Sequence, residues 1–214
     1  MKACKKIIFT AVLLCAVSFT MAKEPEVISL VRKNYSGKTT VTAQFDLTIY
    51  WAIRERESEK RGELFLAPGE KFRADLGKET FVSDGKSFWQ YSERNSQVVV
   101  RNLSEIDLSM QPSHLLSTFL TGRTFTQKSN KDGVVELVWK NDSVGADSYK
   151  SVTALVEEKT GIVKTLELVD KNENVNTYTF KNTVVGKPIA DKVFRFKAPK
   201  GVEVLDMREN NAPN

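Results

Sequence analysis

The chain has 214 residues, 41% of them apolar and 28% charged, with a formal net charge of +5. That balance excludes a disordered tail and a polytopic membrane protein. The basic excess alone would suit a polyanion-binding surface, but its location along the chain removes that reading.

Residues 1–22 hold Lys2, Lys5 and Lys6, an uncharged apolar run from Ile7 to Met21, and the small residues Thr20 and Ala22. These are the three parts of a secretory signal peptide, and the run is short for a membrane span. Cleavage after Ala22 and export to a disulfide-permissive compartment are expected, an uncleaved N-terminal anchor being the other reading. The remaining 192 residues carry 29 bases and 27 acids, a net charge of +2. Such a surface has no electrostatic footprint for nucleic acid. Cys4 and Cys15 both fall in the leader, so the exported chain has no cysteine and no disulfide. Leu14 stands where lipid attachment at Cys15 would need a small residue, which argues against a lipoprotein.

Residues 23–214 suit one domain with one core. Residues 24–36 read as a short helix, with Pro25 and two acids in the first turn and Val27, Ile28, Val31 and Tyr35 on one stripe. Residues 41–53 follow with Val41, Ala43, Phe45, Leu47, Ile49, Trp51 and Ile53 at every odd position. Period two over that length predicts a long antiparallel strand buried on one face. The charged stretch 54–61 reads as a solvated turn region, and 62–66, with Leu64, as the hairpin partner.

Further strands are expected at 71–75, 80–83, 87–91, 97–103, 124–129, 134–140, 151–157, 162–169, 174–185 and 193–196. Turn residues such as Asp84-Gly85 and Lys159-Thr160-Gly161 separate them. One segment differs. Residues 111–122 place Leu115, Leu116, Phe119 and Leu120 on one helical face between Pro112 and Gly122. Two short amphipathic helices therefore accompany a large antiparallel sheet, either as an ordinary core plug or as a lid over a cavity.

The chemistry-bearing residues are few. With no cysteine and a single histidine, His114, the exported chain has no Cys–His pair and no His-rich zinc site. His114 sits in the expected second helix and no G-x-S-x-G occurs, so a serine triad has no support. The acids are spread through turns and solvent faces without an identifiable catalytic pair. No enzyme activity, cofactor or metal is expected.

Three stretches resemble the LolA family. Phe81 to Tyr91 is similar to the family's VSDG-[KT]-x-x-W-x-Y hairpin. Gly62 to Pro68, leading to Phe72-Arg73, is similar to its G-x-L-x-x-x-P…F-x-[WR] element. Phe194 to Val204 resembles its F-x-F-x-x-P-x-G-V-x-V ending. Residues 112–120 stand at the place of its internal helix.

The resemblance implies a mainly β fold, an unclosed antiparallel barrel of about eleven strands with short helices as a lid or plug over a hydrophobic cavity. It implies a periplasmic carrier, a monomer. The carrier takes the acyl chains of lipoproteins from an inner-membrane, lipoprotein-releasing ABC transporter and passes them to an outer-membrane acceptor. The candidate cavity lining is Phe45, Leu47, Ile49, Trp51 and Leu64 with Phe72, Trp89 and Trp139, plus Leu115, Leu116, Phe119 and Leu120 of the second helix. Phe72 could instead stand at the rim, against a membrane-side partner. The family often has Arg immediately before the Pro of its second element, as a latch on the lid, and this chain has Ala67 there. Neither Arg61 nor Arg73 carries over to that role. The alternative reading is a periplasmic lipid- or lipoprotein-sensing regulator with the same half-barrel, although such regulators usually add a second domain.

Overall fold

The computed structural model describes residues 26–106, 124–140 and 149–208. The expected leader and the helix of residues 111–122 lie outside the described residues. Helix α1 (Glu26–Tyr35) buries Val27, Ile28, Val31 and Tyr35, the stripe its spacing predicts. Twelve strands follow among the described residues. They are β1 (Val41–Trp51), β2 (Arg56–Ala67), β3 (Lys71–Asp75), β4 (Glu79–Asp84), β5 (Ser87–Ser92) and β6 (Gln97–Asn102), then β7 (Thr126–Lys131), β8 (Val134–Lys140), β9 (Tyr149–Glu157), β10 (Val163–Asp170), β11 (Val175–Val185) and β12 (Glu203–Asp206).

All twelve form one sheet in the order β12-β6-β5-β4-β3-β2-β1-β11-β10-β9-β8-β7. Its edges, β12 and β7, are not joined by a ladder among the described residues, so the sheet curls without closing. Every pairing is antiparallel except β12 with β6, which is parallel. The hairpins follow the chain, and the long-range step is β1 against β11, from Val41↔Val185 to Tyr50↔Val175. This pairing places the alternating strand at the centre of the sheet.

Two sequence expectations are corrected. Residues 54–61 are mostly strand, not a turn region: the turn is a single 3-10 turn, Ala52–Arg54, and β2 begins at Arg56. From Arg56 to Gly62 this strand pairs with β1 alone, since β3 joins only from Glu63 onward. Charged side chains on such a margin reach water while the backbone still completes its ladder, and they also guard an open edge. Residues 193–196 are not a strand either. Asp191–Phe194 forms a 3-10 turn that seals Phe194 at 2% exposure, and the last strand is Glu203–Asp206.

The C-terminal segment covers the outer face of the sheet. There Val82, Val98 and Val100 are buried, and Tyr91 packs on Phe196 at 6.0 Å between ring centres. Lys71 Nζ meets Asp191 at 2.9 Å, and Arg208 donates to Ser87 Oγ at 3.0 Å. Lys71 holds the Asp191 carboxyl below the usual carboxylate range.

Candidate functional site

Strand alternation sends one set of side chains to the concave, inner face, and register aligns them in rows across the sheet. One row runs Lys60, Leu47, Tyr178, Leu166, Ala154, Leu137. The next runs Ser58, Ile49, Asn176, Leu168, Val152, Trp139. Toward the other end of β1 stand Phe45, Ala43 and Val41, facing Gly62, Leu64 and Leu66 on β2.

The inner face is thus largely apolar from β8 to β4, interrupted by Ser58, Lys60 and Asn176, and it bears two aromatic groups. Phe45 lies 6.0 Å from Tyr178 and 6.3 Å from Phe180 between ring centres. Phe88 lies 6.0 Å from Phe72 and 6.3 Å from Phe81. Gly62 makes room for the first group: a Cβ there would stand 2.7 Å from Phe45 Cζ and 2.5 Å from the Asp75 carbonyl oxygen.

One end of this face is filled. Helix α1 lays Val27, Ile28, Val31 and Tyr35 into the same core, and the Val163 N–H donates to the Tyr35 hydroxyl at 3.1 Å. The turn after β9 packs directly under the helix. At Gly161, with φ +68°, a Cβ would lie 2.6 Å from Leu30 Cβ, so only glycine satisfies both the backbone and the contact. Around Tyr35, Val41, Leu64 and Phe180 the space left is too narrow for water.

Toward the opposite end the described residues become more exposed. Along β1 burial fades from Leu47 at 6% exposure, through half-buried Ile49, to Trp51 at 36%. On the facing strand the inner side chains change from Leu66 and Leu64 to Lys60, Ser58 and Arg56. The groove beside this margin, about 800 Å³, is lined by Glu59, Lys60, Arg61, Lys78, Glu79 and Arg94 with few apolar neighbours. Such a groove does not suit hydrocarbon.

Of the residues expected to line a cavity, Phe45, Leu47, Ile49, Trp51, Leu64, Phe72 and Trp139 share the inner face. Trp89 does not. Its cross-strand partners are Val82 and Val100, and the inward residue of that strand is its neighbour Phe88, opposite Ser83. The expected inward placement of Trp89 is thus corrected by one residue, and the turn before β5 sets the parity. Asp84 Oδ1 accepts the Lys86 and Ser87 N–H groups at 2.9 and 2.8 Å, and Ser83 Oγ accepts that of Gly85 at 3.0 Å.

Phe72 is wholly buried, which overturns the rim placement. Leu115, Leu116, Phe119 and Leu120 lie outside the described residues. Sequence reasoning missed Tyr178, Phe180, Leu166, Leu168 and Val152. The alternation of β11 and β10 carried that signal, but the pairing with β1 was needed to put them on the same face.

The two arginines near the latch position, neither of which was expected to serve as the latch, pair with carboxylates. Arg61 approaches Asp46 at 3.5 Å, and Arg73 makes a bidentate pair with Asp75 at 2.7 and 3.0 Å, both on the outer face. Asp46 also pairs with Lys181, whose hydrogen bond is the main cause lowering its carboxyl pKa. Burial pushes Tyr35 and Tyr178 up to about 12. None of these groups forms a nucleophile–base pair, and no metal-binding cluster of His, Cys, Asp or Glu occurs among the described residues. The arrangement offers apolar surface rather than reactive groups.

The family model described as "Outer membrane lipoprotein carrier protein LolA" matches residues 36–197. An outer-membrane lipoprotein carrier protein of Vibrio parahaemolyticus is 26% identical over 94% of this chain and 96% of its own length. That of Vibrio vulnificus is 29% identical over 78% and 83%. Among solved structures, an uncharacterized conserved protein from Thermus thermophilus superposes with a TM-score of 0.55 at 14% identity, over 85% of this chain and 97% of that one. That likeness is one of fold.

Proposed function

The chain belongs to the LolA family of outer-membrane lipoprotein carrier proteins, and from that membership we propose that it is a periplasmic carrier shielding the acyl chains of lipoproteins between the two membranes. The observation that carries this reading is the inner face itself, an unclosed apolar sheet that is packed at the α1 end and increasingly exposed along β1 toward Trp51. An acyl chain exposed to water costs about 0.8 kcal/mol per methylene. An apolar face exposed in this way offsets that cost without enclosing the cargo irreversibly.

In this reading Leu47, Ile49, Trp51, Tyr178, Leu168 and Trp139 contact the acyl chains, while Phe45, Phe72 and Leu64 form the floor. The carrier acts as a monomer without a cofactor. It receives cargo from an ATP-driven transporter of the inner membrane and yields it to an outer-membrane acceptor. Loading shifts the population toward an opened state through the cargo's differential affinity. Ala67 stands before Pro68, so no arginine occupies the latch position of the family's second element.

Incubation with lipoprotein-loaded spheroplasts tests the proposal. Lipoprotein is expected in the supernatant as a soluble one-to-one complex. Retention of lipoprotein in the membrane at every carrier concentration refutes the reading. Ile49→Glu, at a half-buried position, is expected to abolish release while the protein stays folded, because a carboxylate at the mouth desolvates poorly against hydrocarbon.

A further inference from the structure

The tip of the β1–β2 hairpin bears apolar surface, at Ile53 and Tyr50, that neither the core nor cargo binding accounts for. Ile53, in the turn, is 85% exposed, the highest value of any large apolar side chain among the described residues. Tyr50 and Trp51 flank it, both more than a third exposed and on opposite faces of the strand. Arg54, Glu55, Arg56 and Glu57 surround it with balanced charge.

This tip extends past its neighbour on the β3 side and is braced on the β11 side. Seven residues of β2, from Arg56 to Gly62, run beyond the pairing with β3, a length of roughly 20 Å. The Ala52 N–H donates to Asn174 Oδ1 at 3.1 Å, and Asn174 Nδ2 in turn donates to Asp170 Oδ2 at 2.9 Å. Asp170 Oδ1 also accepts the N–H groups of Asn172 and Asn174 at 2.7 and 2.9 Å. The backbone of the turn is therefore anchored at Ala52 before any contact, which reduces the ordering cost of binding.

An aliphatic side chain at the apex, aromatic rings one step behind it and a collar of arginine and glutamate match the layers of a bilayer interface. Hydrocarbon lies deepest, aromatic rings sit at headgroup depth, and charges stay among the headgroups. We propose that this tip docks on a lipid bilayer, with Ile53 in the acyl boundary and Trp51 and Tyr50 at headgroup level. Docking brings the row from Ile49 to Trp51 against the membrane as a path for acyl chains, and only that path rests on the carrier reading. So small an apolar tip gives a weak, reversible contact. The balanced charge makes binding independent of anionic lipid.

Cosedimentation of the full chain with large vesicles tests this, using phosphatidylcholine alone and phosphatidylethanolamine with phosphatidylglycerol at three to one. Both vesicles are expected to bind the protein at low and high salt. Ile53→Glu is expected to lower the partition coefficient by about ten- to a hundredfold, with an unchanged melting temperature because the site is exposed. No binding by the wild-type chain overturns the proposal. So does equal binding by Ile53→Glu, or binding confined to anionic vesicles and abolished by salt, which marks headgroup charge rather than insertion. A fluorescent triacyl lipopeptide, added without vesicles, reports the carrier reading separately. Failure of the wild-type chain to bind it removes the acyl path and leaves Ile53-dependent docking standing.

Discussion

Replacing Tyr35 by Phe probes the joint between helix α1 and the sheet. Tyr35 is 5% exposed and Val163 1%, and the Val163 N–H donates to the Tyr35 hydroxyl at 3.1 Å. Phenylalanine keeps the ring and its buried area but leaves that amide unpaired, a loss of about 1–3 kcal/mol. At about 2–4 °C per kcal/mol for a domain of this size, the melting temperature falls by about 2–12 °C.

The pH dependence gives a second signature. Burial raises the phenol to about 12, the Val163 bond opposing it, against about 10 in the unfolded chain. A raised folded pKa stabilises fully below pH 10 and drains away as pH rises toward 12. Two units at 1.36 kcal/mol each come to about 3 kcal/mol. The advantage of wild type over Tyr35→Phe therefore closes between pH 10 and 12. Urea denaturation of both proteins at pH 8, 10, 11 and 12 measures it. A difference that stays constant over that range, or unchanged exchange of the Val163 amide at pH 8, refutes the reasoning.

Gly62→Ala is expected to cost about 1–3 kcal/mol by overpacking. Adding Phe45→Leu recovers only part of it in urea denaturation, because the Asp75 carbonyl contact remains. Phe72→Ala, at a wholly buried position, should cost about 3–5 kcal/mol in the same assay, whereas a rim residue would cost little. Asp170→Ala removes the acceptor of three hydrogen bonds, and hydrogen exchange at the Ala52 amide should accelerate while exchange in β4 and β5 stays unchanged.

The sequence alone determined the elements whose reason is local. Odd-position apolar residues from Val41 to Trp51 specify a strand with one buried face, since side-chain parity is a property of the backbone. Val27, Ile28, Val31 and Tyr35 specify a helix stripe in the same way. Asp84 and Gly85 specify a turn, and the structure adds why glycine is needed there: φ is +93° and a Cβ would meet the Gly69 carbonyl oxygen at 2.3 Å.

Tertiary structure decided whatever depended on a partner distant in the chain. The stretch from Arg56 to Arg61 looks like a solvated turn until β1 supplies a ladder for it. Phe194 reads as strand until the outer face of β3 and β4 claims its ring. Trp89 is the inner-face residue expected from the sequence, but pairing with Ser83 turns its neighbour Phe88 inward instead. Ile53 continues the alternation of β1 on paper, yet the chain turns before it and leaves it bare. Periodicity records which residues share a face, but only the packing of the whole sheet determines which face is covered and where the cover ends.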